Sequence, residues 1–485
     1  MVNWHIISKI IGSLLFIEAF FMSWCLAMAL SFHEDDVMAF MMSAMLTFGC
    51  AFLFLYYGRK AENALSRRDA YVVVTATWVV FSLFGMVPFL VHGSLTNLAD
   101  AYFETMSGFT TTGVTVIDDV ERLPHGMLFW RSLMQWIGGL GIVFFTIALL
   151  PSLVGGSVKV FAAEATGPMR SKMHPRLSTS AKWIWSIYML LTIACGLSFW
   201  AAGMEWFDAT NYAMTTTATG GFSTHNGSTV FFHSKTIEYL SILFQFLAGI
   251  NFTLLYLSIF KLRIGSVVRN AEFRLYFSIV CVATLVIMYL LVTRLGYGYE
   301  PAFRSALFQV VSFITTTGLS NDDAGMWPHA TWMILGLLMF TGACAGSTTG
   351  GFKCVRVSML FKVLRNEFLH ILHPNAVLPV KLNGQSVAQS KLLSLLAFLL
   401  LYVLLFFMTT AVMYLSGIHI TNALTIALSL LSNVGAGLDT NIGPVMSWAS
   451  LSDSMKWLCS FLMLVGRLEI MAVLVLFTKS FWKEN

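Results

Sequence analysis

The chain has 485 residues, 57% of them hydrophobic and only 11% charged, with a formal net charge of +5. That much apolar surface exceeds what one water-soluble core can bury, which argues against an ordinary globular enzyme and makes the bilayer the natural solvent. The modest basic excess comes without an aromatic-interleaved patch, so no nucleic-acid partner is expected.

Taken in chain order, apolar runs long enough to span lie at about 7–31, 37–57, 71–93, 126–151, 181–203, 236–261, 273–294, 392–416 and 456–479, and each predicts a transmembrane helix. A tenth run, about 329–366, is interrupted. The first is too long for a signal-peptide core and lacks a small-residue cleavage site, so it reads as a retained helix. Glu18 inside it is expected to be paired or to snorkel. The seven cysteines are scattered singly, which predicts packing residues rather than disulfides or a zinc site.

Basic residues resist translocation and collect on the cytoplasmic side. Lys9, the 59–68 and 159–182 segments, Lys261 to Arg274, Lys353 to Lys391, Lys479 and Lys483 all fall on one side, which assigns both termini to the cytoplasm. Opposite them lie Glu34, Asp35, Asp36, Asp118, Asp119, Glu121, Asp322, Asp323 and Asp439. This acidic outer face either concentrates cations or is an ordinary solvated rim.

A unit recurs four times on that outer side. Asp100, Asp208, Ser305 and Asn422, each followed by Ala, stand thirteen residues before Gly113, Gly221, Gly318 and Gly435. Ser107, Thr215, Ser312 and Ser429 come six residues before the same glycines. Each copy predicts a spanning helix, a short helix entering from outside, a glycine turn and a second spanning helix. The predicted architecture is an all-α polytopic membrane protein with four pseudo-symmetric repeats around one central pore. The division is 1–70 for an N-terminal helix pair, then 71–180, 181–271, 272–391 and 392–485 for the repeats. Asp, Ser or Asn is expected to cap each short helix. About ten residues then remain before the turn, roughly 15 Å, half the hydrocarbon thickness. The negative end of each helix dipole would face the axis, which favours a cation.

The turns are Thr111-Thr112-Gly113, Thr219-Gly220-Gly221, Thr316-Thr317-Gly318 and Asn433-Val434-Gly435. Glycine tolerates the backbone angles needed to aim successive carbonyls to one side, and irregular backbone at this depth is expected only along a water-filled path. Rings of such carbonyls replace the hydration shell of a monovalent cation, and no carboxylate in the turns prefers a divalent one. These twelve residues are the candidate selectivity filter, with K+ as the ligand.

The stretches Thr110-Thr111-Thr112-Gly113-Val114-Thr115-Val116-Ile117, Gly220-Gly221-Phe222-Ser223-Thr224-His225, Gly342-Ala343-Cys344-Ala345-Gly346-Ser347-Thr348 and Gly466-Arg467-Leu468-Glu469-Ile470 resemble the Trk/Ktr/HKT superfamily. Within it, the chain is similar to membrane subunits of bacterial Trk-type potassium uptake systems. The resemblance covers essentially the whole chain. It implies a pseudo-fourfold potassium pore in the inner membrane, a homodimer, a cytosolic ring of nucleotide-binding regulatory subunits, and no organic cofactor in this chain. One departure is Gly435-Ala436-Gly437-Leu438-Asp439, where members commonly have Gly-Pro-Gly-Leu.

The tenth run breaks at residues 342–351, too rich in glycine to continue a helix. It is expected to form a loop lining the pore beneath the filter, a candidate gate containing Gly342, Gly346, Gly350 and Gly351. A close helix crossing through small residues is the alternative. Arg467 reads as mid-span, where a charge requires a partner; the carbonyls of the 342–351 loop suit it better than Glu469, two positions away. The resemblance places the matching arginine in the pore below the filter; snorkelling is the alternative. Lys353 either touches the gate or marks the inner interface. Asn383-Gly384 predicts a small cytosolic hairpin, which with 159–180 forms either a docking surface for the regulatory ring or a plain loop.

An enzyme would need His225, His233, His370 or His373 beside a nucleophile or metal partners, and the sequence offers neither. A carrier with rocking halves would need charges at mid-membrane in several helices, and only Glu18, Arg467 and Glu469 qualify. Whether uptake is passive or coupled to H+ or Na+ stays open at this level.

Overall fold

The computed structural model describes residues 2–61, 65–141, 177–438 and 447–483. Asp439, the end of the fourth apolar run and most of the basic segment 159–182 lie outside the described residues. An antiparallel pair, α1 (Trp4–Phe32) and α2 (Val37–Tyr57), opens the fold. Four passes follow. The first is α3 (Arg67–Gly85) with its extension α4 (Val87–His92), the short α5 (Leu98–Phe109) and α6 (His125–Gly139). The second is α7 (Leu177–Ala201), α8 (Trp206–Ala218), α9 (Lys235–Ala248) and α10 (Phe252–Ile259), followed by a short α11 (Ile264–Arg269). The third is α12 (Ala271–Leu295), α13 (Tyr299–Ile314), α14 (His329–Thr341) and α15 (Cys354–Leu372). The last is α16 (Gln389–Leu415), α17 (Ile420–Ser432), α18 (Asp453–Arg467) and α19 (Met471–Leu474).

The passes close into a ring because each second helix packs on the short helix of the next pass. Thus α6 lies on α8, α9 on α13, α14 on α17, and α18 returns to α5. That last contact joins residues 453–467 to 98–109 and carries an ion pair between the buried Lys456 and the half-buried Asp100, 2.5 Å long. Among the described residues six helices are long and apolar enough to cross a bilayer, rising to eight if two bent pairs each count as one span. The chain is an all-α polytopic membrane protein.

Three expectations change. The short helices begin before the predicted caps: Asp100, Asp208 and Asn422 sit in the first turn, behind Asn97, Glu205 and His419, and Ser305 lies well inside its helix. The helices are therefore 12, 13, 16 and 13 residues long, because the preceding residues already turn helically. The runs 236–261 and 456–479 are not straight spans. They bend by 105° between α9 and α10 and by 109° between α18 and the segment from Met471 to Phe477. Asn251 begins a new helix at the first bend, its Oδ1 accepting from Thr253 N at 2.8 Å; Glu469 and Ile470 take left-handed φ of 57° and 31° at the second. Hydropathy records how apolar a run is and not its direction, so both bends escaped it. Finally, Glu18 does not snorkel: it is fully buried, and among the described residues neither carboxyl oxygen has a hydrogen-bond partner.

The expected hairpin forms. Lys381–Leu382 (β1) pairs antiparallel with Gln385–Ser386 (β2) through Asn383 and Gly384, both left-handed at φ 48° and 84°, as a primed two-residue turn requires.

Candidate ion pathway

The four short helices end identically. In each, the residue two before the glycine is left-handed: Thr111 at φ 53°, Thr219 at 54°, Thr316 at 55° and Asn433 at 54°. The next N–H then turns back to the carbonyl five residues earlier: Thr112 to Ser107 (2.9 Å), Gly220 to Thr215 (2.9 Å), Thr317 to Ser312 (2.8 Å) and Val434 to Ser429 (2.9 Å). This is a Schellman closure with a side chain where glycine is usual. Each such residue costs on the order of 1–3 kcal/mol, and a β-branched threonine is an outlier there. Four repetitions mark an enforced geometry. The glycines follow at φ 83°, 84°, 78° and 77°, so each turn holds two left-handed positions, of which the sequence pattern signalled only the glycine.

The four turns face one another in a closed cycle. A Cβ added to Gly113 would lie 2.0 Å from Gly220 O, one on Gly221 2.1 Å from Thr317 O, one on Gly318 2.4 Å from Val434 O, and one on Gly435 2.0 Å from Thr112 O. Each glycine thus abuts the carbonyl preceding the glycine of the next turn, and the fourth returns to the first. All four glycines line one cavity of about 90 Å³, which also reaches Thr115 and Asp118. Thr111, Thr112, Thr219, Gly220, Thr316, Thr317, Asn433 and Val434 are buried, while the four glycines alone keep partial exposure. The structure brings all twelve predicted residues together.

Side chains behind the ring hold it. Ser107 and Ser312 hydroxyls donate to Val114 O (2.5 Å) and Leu319 O (2.6 Å), and the hydroxyl pairs Thr110–Thr112 and Thr315–Thr317 are 2.8 and 2.7 Å apart. Asn433 Nδ2 bridges the closing seam, donating to Thr112 Oγ1 at 3.0 Å and Met463 O at 2.9 Å. A buried ion pair escaped the sequence reading. Arg131 Nε donates to Glu104 Oε1 at 2.9 Å and its Nη1 to Ser223 O at 3.0 Å, while Glu104 accepts from Thr115 Oγ1 and Val116 N, each at 3.0 Å. A carboxylate within a short apolar helix was its only signal. With both carboxylate oxygens and two guanidinium nitrogens engaged, this pair ties α5, α6 and the second turn together.

The loop between α14 and α15 runs under three of the four turns. Gly350 N donates to Thr316 Oγ1 (2.7 Å), a Cβ on Gly350 would sit 2.1 Å from Ser432 O, and Thr348 Oγ1 lies 3.1 Å from Thr217 O and 3.3 Å from Thr219 Oγ1. Gly342, Gly346 and Gly351 are left-handed at 64°, 73° and 73°. The loop is pinned from outside the ring by Asn251 Nδ2 to Ala345 O (2.6 Å), Phe252 N to Gly346 O (2.9 Å) and Ala345 N to Glu272 Oε1 (2.6 Å). Lys353 is buried within it, its Nζ donating to Thr349 O and to Thr349 Oγ1 at 3.1 Å. It closes the loop as the N-cap of α15.

Arg467 is not mid-helix. It ends α18 at the 109° bend, and its guanidinium donates to Thr348 O (3.0 Å) in the loop and to Gly138 O (2.6 Å) and Gly139 O (2.8 Å) at the end of α6. The loop carbonyl was the expected partner; the α6 carbonyls were not foreseen. Helix-end carbonyls carry partial negative charge, which suits a guanidinium. Glu469 instead forms an ion pair with Arg356. Loop and Arg467 together therefore touch all four passes directly below the glycine ring.

Comparison with known proteins places the chain in a family. Residues 36–484 match the TrkH family, described as cation transport protein. The chain belongs to the TrkH family. Among its TrkH-family relatives, the Trk system potassium uptake protein TrkH of Salmonella typhimurium is 34% identical over 99% of this chain and 100% of its own. The Trk system potassium uptake protein TrkH of Halomonas elongata is 36% identical over 99% of both chains. The crystal structure of the potassium transporter TrkH from Vibrio parahaemolyticus superimposes with a TM-score of 0.90 at 32% identity, covering 99% of this chain and 100% of that one. As a member of the TrkH transport family the chain is not an enzyme. Among the described residues no cluster of His, Cys, Asp or Glu has metal-holding geometry.

Proposed function

We propose that this chain is the pore-forming subunit of a Trk-type uptake system that conducts K+ inward across the bacterial cytoplasmic membrane. The observation that carries the reading is the closed cycle of glycine-to-carbonyl contacts, Gly113 to Gly220, Gly221 to Thr317, Gly318 to Val434 and Gly435 to Thr112. A ring of main-chain oxygens held by four strained turns replaces the water around a dehydrated alkali ion, and its rigidity favours one ion size. In this reading Thr111, Thr112, Gly113, Thr219, Gly220, Gly221, Thr316, Thr317, Gly318, Asn433, Val434 and Gly435 form the selectivity filter. K+ is cargo and the chain needs no organic cofactor.

Beneath it, the loop carrying Gly342, Gly346, Gly350, Gly351 and Lys353 is the gate, and Arg467 is its latch. The guanidinium bonds to a loop carbonyl and to fixed carbonyls of α6, so the loop leaves only by breaking a charge-assisted bond. Both termini and the 381–386 hairpin lie on the cytoplasmic face, where a ring of nucleotide-binding subunits biases the latch; the chain works as a homodimer in the inner membrane. Purified protein in proteoliposomes under a K+ gradient tests the proposal. Continuous single-molecule currents that prefer K+ to Na+ are expected. Strictly stoichiometric turnover driven only by a proton or sodium gradient would replace the pore with a symporter.

A further inference from the structure

Three of the four turns are braced by their own side chains, two at the residue before the glycine and the last one residue earlier. Thr112 and Thr317 share hydroxyl hydrogen bonds with Thr110 and Thr315, and in the last turn Asn433 reaches Thr112 and Met463. The second turn has neither device: Ala218 and Gly220 stand where the hydroxyl pair would be, and Thr219, at the Asn433 position, donates to Ala218 O and to Thr348 Oγ1 of the loop and not to a neighbouring turn. Gln135, fully buried on α6 of the preceding pass, fills the gap. Its Nε2 donates to Gly220 O at 2.8 Å and its Oε1 accepts from Phe222 N at 3.0 Å. Those two groups belong to the peptide planes on either side of Gly221, so one carboxamide fixes both.

Gly220 itself is explained by this contact. Its φ is not left-handed, so the backbone would tolerate another residue, but a Cβ there would lie 2.4 Å from the carboxamide carbon and oxygen of Gln135. Glycine at 220 and glutamine at 135 are thus steric complements. The molecule supplies its own comparison in Gln245, which stands four residues before Gly249 as Gln135 stands four before Gly139. Among the described residues its buried carboxamide has no hydrogen-bond partner, and it lies on the helix that packs against α13, whose turn already owns the Thr315–Thr317 brace.

We infer that Gln135 is a specificity-determining positioning residue: it holds the Gly220 carbonyl in the ring and keeps the peptides flanking Gly221 from turning over. The inference rests on the filter reading above. A carbonyl oxygen has two acceptor sites, so Gly220 O can take the amide proton on one and still face an ion. Losing the clamp leaves this oxygen and the Phe222 N–H without partners in a buried place, and either peptide then gains by rotating toward a new one.

The test is K+ and Na+ flux in proteoliposomes for Gln135→Met, which keeps the length and apolar volume but has no amide. The K+/Na+ ratio is expected to fall about tenfold, the scale of one buried hydrogen-bond network lost, with expression and elution profile unchanged; Gln245→Met should leave the ratio intact. A Gln135→Met ratio equal to the parent's, while Gly113→Ser loses discrimination, overturns the clamp and leaves the filter standing. Parental ratios in both variants would remove the filter reading itself. Should Gln135→Met not assemble, Gly220→Ala decides: uptake should drop in that variant and recover when Gln135→Ala is added, whereas additive losses would refute the pairing.

Discussion

Replacing Arg467 by alanine removes the proposed latch, whose strength follows from its contacts. Among the described residues, the hydrogen bond to Thr348 O engages the loop, and those to Gly138 O and Gly139 O anchor the guanidinium to α6. A charge-assisted bond contributes about 1.5–3 kcal/mol net, so its loss shifts the loop equilibrium by roughly 10- to 150-fold toward the open arrangement. Removing a fixed positive charge from the path lowers the barrier to cations as well. Arg467→Ala is therefore expected to raise basal K+ flux by at least about tenfold, within the limit set by how closed the parent is. Arg467→Lys, a single-point charge without the fork, should fall between. The assay is K+ efflux from loaded proteoliposomes at matched protein density. Flux at or below the parent's would refute the latch.

Gly113→Ser brings a Cβ to 2.0 Å from Gly220 O at a left-handed φ of 83°, so K+ flux should fall and discrimination against Na+ weaken; unchanged ion ratios in bilayer recordings would count against the filter. Gly350→Ala drives a Cβ to 2.1 Å from Ser432 O, which should lift the loop and raise leak in vesicles; a leak no greater than the parent's removes the loop from its gating role. Glu104→Gln leaves the Arg131 guanidinium buried without its counter-charge, costing about 3–5 kcal/mol and lowering the melting temperature in detergent; a parental melting curve would be inconsistent with that brace. Outside the membrane, the Asn226 carboxamide donating to Asp119 holds that carboxyl below its ordinary value, against some desolvation. A depressed folded-state value means the stabilisation is complete above the unfolded pKa, near about 3.9, and is lost as pH falls through the lower folded value. Asp119→Asn should flatten that acid limb of a stability–pH series, and an unaltered limb would assign it to other groups.

Much of this molecule is local and therefore legible in one dimension. Apolar runs report burial in lipid, the spacing of Asp100, Asp208, Ser305 and Asn422 from their glycines reports a repeated unit, and Asn383-Gly384 reports a hairpin, because each depends on neighbours in sequence. The left-handed Thr111, Thr219, Thr316 and Asn433 were hidden, since threonine advertises no such conformation and only the surrounding fold enforces it. The same holds for Gln135, an unremarkable helix residue until α6 lies behind the second turn.

Direction and partnership came from the tertiary structure. Hydropathy integrates over a window, so it could not see that 236–261 and 456–479 turn by 105° and 109°, and the bend is what carries Arg467 to the end of a helix facing Thr348, Gly138 and Gly139. Residues 119 to 329 positions apart meet there, and a sequence holds no record of such distances. Composition and repetition determined that the chain crosses the membrane with four like turns; closing those turns on one axis, with their carbonyls meeting the next glycine, was decided by how each second helix packs on its neighbour.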